Sequence, residues 1–326
     1  GRLRDWYQAT FQKGNRSIPP SPFDTGAAVA KTAAIARTVV TVSGKLAYEK
    51  IFGKTNDLAI RVYPCGVALL TSGLLVDSFT KREIGCSVSR DCEVVKVTGG
   101  WIKGVKRPAG FEYTYIDETN YSETILSLPV KIHRMVRYEN RLFAVTDQGL
   151  TELNLTLLGR PILSAGNTWG VVVNSTRWYD GVGIQDAMGA TYLIAPFGDD
   201  ACAQVRVREL DGYTPVAAKA GHCFISVMTL NRKGEYVKFE FTFGAGYKTY
   251  KVWNGDAVSS DLNVAILPKG VCATILEDGE LIIFVPSNGK VIKVQDKAVT
   301  TEMVLNNWSN TVVYILDGNV WKVSLK

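Results

Sequence analysis

Short apolar runs flanking a glycine-bearing turn recur seven times along the chain, and this recurrence constrains the fold more than any single motif. The clearest copies are 271–283 (VCATILEDGELII), 312–325 (VVYILDGNVWKVSL) and 141–155 (RLFAVTDQGLTELNL), with fainter ones at 67–79, 104–116, 192–207 and 223–242. Aligned on Gly73, Gly110, Gly149, Gly198, Gly234, Gly279 and Gly318, they step by 37, 39, 49, 36, 45 and 39 residues. From Thr38 onward, runs such as TVVTVS, LAIRVY, CEVVKV and EYTYI are rich in Val, Ile, Thr and Tyr, and long helical periodicity is absent. The chain is therefore expected to be all-β and repetitive.

A strand-and-hairpin unit recurring about every 40 residues is the period of a β-propeller blade. The spacing predicts seven blades, with six and eight as the alternatives. A ring of radially packed sheets has one seam, where the first and last blades meet. The final repeat, 302–326, has room for about three strands, and Thr38–Ser43 is an apolar strand without a partner nearby in sequence. Pairing the two would cover an otherwise open edge. The expected organisation is thus an arm over 1–37 and a propeller over 38–326, closed by strand 38–43 on 302–326.

The arm has a different texture. Leu3, Trp6, Tyr7, Thr10 and Phe11 fall at helical spacing on one face, with Arg2, Arg4 and Lys13 elsewhere. Pro19, Pro20 and Pro22 follow, in a stretch that extends rather than coils. So short a helix is marginal alone in water. It is expected to bury Trp6, Tyr7 and Phe11 on a neighbouring subunit.

The net charge of +6 is uneven: residues 1–20 carry +3 and residues 81–110 carry +4. The second stretch makes nucleic-acid binding through Lys103, Lys106 and Arg107 a candidate, and docking onto acidic protein partners a stronger one. No apolar run reaches the ~18 residues that a membrane helix needs. Six cysteines form no CxxC pair, and Cys86 and Cys92 bracket a pentapeptide that a disulfide would close in an oxidising compartment. Five Asn-x-Ser/Thr sequons, at Asn15, Asn120, Asn154, Asn174 and Asn307, hint at an extracellular or particle surface.

Two stretches interrupt the rhythm, 96–110 with Trp101 and 159–191 with Trp169, Arg177, Trp178 and Tyr179. Read as long loops on a rigid scaffold, they nominate Trp101, Arg177, Trp178 and Tyr179 as binding residues. Catalytic signals are weak. His133 and His222 sit in strand-like runs without a GxSxG or HExxH context, and no metal or cofactor is expected. The best enzymatic case is a carboxylate pair, Asp180 and Asp186, in a propeller acting on a carbohydrate.

The stretch 268–294 (PKGVCATILEDGELIIFVPSNGKVIKV) resembles an NHL-type repeat, with a proline-glycine entry, an apolar strand, a DG hairpin and a second strand. The repeats resemble β-propeller proteins in general, NHL and WD types included, although the WD dipeptide does not recur. A basic, proline-tethered arm on such a ring is also similar to propeller-bearing virion and tail components. That resemblance implies a non-enzymatic structural or adaptor protein of a virion or extracellular surface. A carbohydrate-active enzyme and a surface recognition module are the alternatives.

Overall fold

A computed structural model of the chain describes residues 7–12, 38–42 and 46–325, except for 88, 109, 129, 199, 200, 258–260 and 277. Among the described residues the strands form seven sheets arranged as the blades of a β-propeller. Blades 1 to 5 are antiparallel meanders that follow the chain, starting at the inner strands Ala59–Val62, Cys92–Val97, Ile132–Tyr138, Thr176–Trp178 and Thr214–Gly221. The inner strands of blades 6 and 7 are Val264–Ile266 and Val304–Trp308.

The glycine register marks the turn between the second and third strands of each blade. That turn takes a left-handed residue in all seven blades, at φ between 69° and 136° for Gly73, Gly110, Gly149, Gly189, Gly234, Gly279 and Gly318. Glycine enters this region without the Cβ penalty that other residues meet. Gly198 was therefore the wrong anchor in blade 4. It follows the third strand, Ala190–Ala195, while Gly189 makes the turn before it.

The seam is closed by an N-terminal strand, but not the expected one. Leu46–Phe52 forms the outer strand of blade 7, antiparallel to Asn319–Leu325, with Leu46 opposite Leu325 and Phe52 opposite Val320. Thr38–Val42 instead lies parallel to Lys290–Val294, as a fifth strand on blade 6. The difference is one of burial. The closing strand buries Leu46 and Phe52 into the clusters between blades 6, 7 and 1, whereas every residue of Thr38–Val42 is exposed. An apolar composition marked the first strand for the seam, but only the second has side chains that the seam can bury.

Blade-to-blade packing makes the core a ring of clusters. Tyr63, Leu75, Val94 and Trp101 join blades 1 and 2; Phe143, Ile184, Leu193, Phe239 and Phe241 join blades 3, 4 and 5; Ala265, Leu281, Leu305 and Tyr314 join blades 6 and 7. Burying each large apolar side chain contributes about 1.5–3 kcal/mol.

Of the arm, the structure describes a single π-helical turn, Gln8–Gln12. The longer amphipathic helix is not supported, and Trp6 and the proline tether lie outside the described residues. Tyr7 and Phe11 are 58% and 66% exposed, with ring centroids 4.6 Å apart. No helix among the described residues is long and apolar enough to cross a membrane.

Candidate functional site

Most inner strands carry a polar side chain into the central channel, and these groups join into a closed belt. On blade 1, Arg61 meets Glu93 of blade 2 at 2.5 Å and donates to the Cys92 carbonyl at 3.0 Å. The other oxygen of Glu93 accepts from Arg137 Nε of blade 3 at 3.2 Å, and Arg137 Nη2 donates to Asp180 of blade 4 at 2.5 Å. Asp180 faces Lys219 of blade 5 at 3.9 Å. Lys219 Nζ donates to the Val264 carbonyl of blade 6 and to Asn306 Oδ1 of blade 7, each at 3.1 Å. The Asn306 amide then donates to the Val62 carbonyl and returns the belt to blade 1.

Three cations thus alternate with two carboxylates, and the alternation sets their ionisation. Burial alone would push the Asp180 carboxyl up, but Arg137, Lys219 and Arg61 outweigh it and hold the group below the usual carboxylate range. Burial pulls the Lys219 ammonium below its ordinary value, against the attraction of Asp180. Burial opposes the charge on Arg137 too, yet Asp180 and Glu93 hold its pKa above the ordinary value. Arg137 is 7% exposed, while 35% of the Asp180 side chain still meets the channel. Water in the lumen therefore screens the carboxylate side of the pair more than the guanidinium side.

Two cavities open beside the belt, on the face where the inner strands begin. One of about 670 Å³ is bordered by Asp180, Lys219, Asp261, Asn263, Thr301 and Val304. A smaller one of about 280 Å³ has Arg61, Arg134, Arg137, Tyr179, Asp180 and Val216 in its wall.

The nominated residues are dispersed, and the two supposed loops are strands. Trp101 lies in Gly100–Arg107 at 5% exposure, with Lys96 Nζ 3.9 Å from its ring centroid. Trp178 ends the inner strand of blade 4, also at 5% exposure, inside the cluster of blades 3 to 5. Both are core residues rather than surface anchors: each faces the adjoining blade, and the apolar ring fills that gap. Arg177 is exposed, and Tyr179 is half-buried with its hydroxyl donating to the Pro215 carbonyl at 3.0 Å. Burial raises the Tyr179 pKa, partly offset by Arg177 and Arg134 nearby.

Three of the seven basic residues of the stretch 81–110 pair with carboxylates outside it. Lys103 is buried against Glu123 at 3.0 Å, Arg107 pairs with Glu112 at 2.9 Å, and Lys96 pairs with Glu118. Lys106 alone of the three nucleic-acid candidates stays exposed without such a pair among the described residues. Asp180 and Asp186 are not brought together. Asp180 follows the inner strand of blade 4, whereas Asp186 lies at the other end of the hairpin, beyond the Thr176–Gln185 pair, and accepts from Thr191 at 3.2 Å. The six cysteines are free, with Cys92 buried and Cys86 exposed.

No protein-family model matches the chain, and no curated protein matches it. Solved structures similar to it include the N-terminal domain of Nup159, at 9% identity and a TM-score of 0.48, covering 90% of this chain and 100% of that one. Kluyveromyces lactis Hsv2 matches at 10% identity and a TM-score of 0.44, over 83% of this chain and 98% of that one. The extracellular domain of the hybrid two-component system BT3049 from B. thetaiotaomicron matches at 11% identity and a TM-score of 0.48, over 84% of this chain and 40% of that one. None of these likenesses speaks to what this chain binds.

Proposed function

We propose that the propeller is a non-enzymatic docking platform within a larger assembly. The observation that carries this reading is the belt. Both of its carboxylates, Glu93 and Asp180, are engaged by cations from neighbouring blades, so the channel is built as a brace rather than as an acid pair around a substrate bond. Support comes from the rim. The outer hairpin of blade 3 runs past its neighbour Arg141–Thr146 and ends in Leu157, Leu158 and Ile162, all exposed near Ile125 of blade 2. The exposed Tyr7 and Phe11 add a second apolar feature. A virion or tail particle is one such assembly. What supports it is the basic, proline-tethered arm, and the comparisons add nothing to it.

Two measurements test the platform. A panel of glycoside and ester substrates is expected to show no turnover. Turnover that Asp180→Asn or Asp186→Asn abolishes would make the chain the carbohydrate enzyme of the second reading. Cross-linking in the native assembly is expected to join residues 1–20 to another subunit, and truncation at Ser21 to release a folded propeller. Cross-links confined to the chain's own blades would reduce the arm to a cap.

A further inference from the structure

Three arginines stand above the belt, outside its ion pairs. The contacts Glu93–Arg137–Asp180 fix the relative height of the inner strands of blades 2, 3 and 4. An isolated parallel bridge between Asp180 and Lys219 extends that level to blade 5. Three residues before each of these belt positions stand Arg90, Arg134, Arg177 and Val216, the last three on the inner strands and Arg90 in the bend that precedes Cys92–Val97. Arg134 and Val216 line the 280 Å³ cavity together with Arg61, Arg137, Glu93 and Asp180, and Arg134, Arg177 and Asp186 all act on the Tyr179 hydroxyl. All three arginines are exposed, and among the described residues none has an ion-pair partner.

We infer that this mouth binds an acidic linear peptide of a protein partner. The inference rests on the platform reading and names the partner's chemistry. The mouth and belt on this side present Arg61, Arg134, Arg137, Arg177 and Lys219 against Glu93, Asp180 and Asp186, so the local field favours an anion. The cavity is smaller than the ~300–1,000 Å³ of small-molecule sites, and its size suits one inserted side chain. A Glu or Asp carboxylate entering it meets the Arg134 guanidinium, whose fork matches a carboxylate bidentately. Neighbouring residues of the peptide lie across Val216 and the Tyr179 ring. A nucleic acid fits less well, because affinity for it grows with the number of phosphates neutralised, typically ~6–10. Here three mouth arginines stand above the two belt carboxylates and beside Asp186.

The probe is a fluorescein-labelled decapeptide alternating Glu and Ala, titrated by anisotropy onto the full chain at about 50 mM salt, where surface charges are weakly screened. We expect saturable binding, no binding of the matching Gln peptide, and affinity about tenfold or more weaker for Arg134→Ala/Arg177→Ala at unchanged melting temperature. Reversing the charges, Arg134→Glu/Arg177→Glu, is expected to transfer binding to a Lys-Ala decapeptide. If the alanine pair melts lower, Arg134→Gln alone carries the same comparison. Wild-type affinity in the variants, or no binding of the Glu peptide, overturns the site. Tighter binding of a ten-nucleotide oligothymidylate overturns the choice of a peptide. Neither result touches the substrate panel or the arm cross-links, so the platform reading stands or falls separately.

Discussion

Lys219 Nζ reaches Asn306 Oδ1 at 3.1 Å, joining blade 5 to blade 7 across the inner strand of blade 6. Blade 6 contributes only its Val264 carbonyl to the same ammonium. An unbranched, flexible four-carbon stem with three donors can serve a carboxylate, an amide and a carbonyl at once, which a guanidinium fork of fixed plane cannot. The belt is therefore most dependent on one residue where its neighbour has no polar side chain to give.

Lys219→Met keeps the stem and removes the donors. The Val264 carbonyl then loses the ammonium, the Asn306 oxygen keeps only the Asn307 N–H, and Asp180 keeps Arg137 as its ion pair. A loss of about 1–3 kcal/mol is expected, read as a lower denaturant midpoint with an unchanged slope. A midpoint equal to wild type would show that lumen water replaces the ammonium.

Arg137→Met removes the cation shared by Glu93 and Asp180 and leaves Glu93 to Arg61 and Asp180 to the more distant Lys219. Breaking such an arrangement from one side costs about 3–5 kcal/mol, and channel water at Asp180 places the expected value at the lower end. Adding Glu93→Gln and Asp180→Asn in the same background leaves Arg61 and Lys219 without counter-charges, and thermal melting should fall further; recovery would show that repulsion between the two carboxylates dominates.

Acid should weaken the ring through Asp180. Its folded pKa lies below the unfolded value of about 3.9, so the unfolded chain binds the proton more readily. The stabilisation is present above that unfolded value and is lost as pH falls through the lowered folded one. Stability measured from pH 5 down to about pH 2 should fall less steeply in Asp180→Asn than in wild type. Parallel curves would mean that the carboxylate contributes nothing to the pH dependence.

Strand removal separates the seam from the addition. A chain starting at residue 45 lacks Thr38–Val42, which buries nothing, and should melt within a few degrees of the full chain. Phe52→Ala, inside the closing strand, should cost about 3–5 kcal/mol, as large aromatic truncations do. Equal melting of the Phe52 variant and wild type would move the closure elsewhere.

The period and the turn glycines were enough to read a ring of β-sheets, because a left-handed hairpin position recurs in each blade and few residues tolerate it. Blade 4 misled the alignment: the Gly198-Asp199-Asp200 stretch looks more like a turn than Met188-Gly189 does. The belt was less legible, since its members share their strands with other polar residues, as Arg137 does with His133 and Arg134. AIRV, CEVVKV, IHRMVRY, AAKAG and VLNNW each hold one such residue facing the channel. Asp180 was singled out for catalysis because sequence shows a carboxylate but not the cations that the fold brings to it. Trp101 and Trp178 misled for a related reason: composition marks a tryptophan as an anchor, but only packing shows which side it faces.

Leu46 sits opposite Leu325, so the two ends of the ring are neighbours in one sheet. The order in which the polypeptide visits the blades is then incidental to the architecture, and the point at which the circle is cut is interchangeable. A circular permutant that links 325 to 46 through a short flexible loop and opens between blades 3 and 4, at the exposed Gly170, would drop the added strand Thr38–Val42 and keep the seven four-stranded blades and every belt contact. Only the seam would move: blade 7 would become an ordinary continuous meander, and the cut would fall between complete blades, with no strand lent across it.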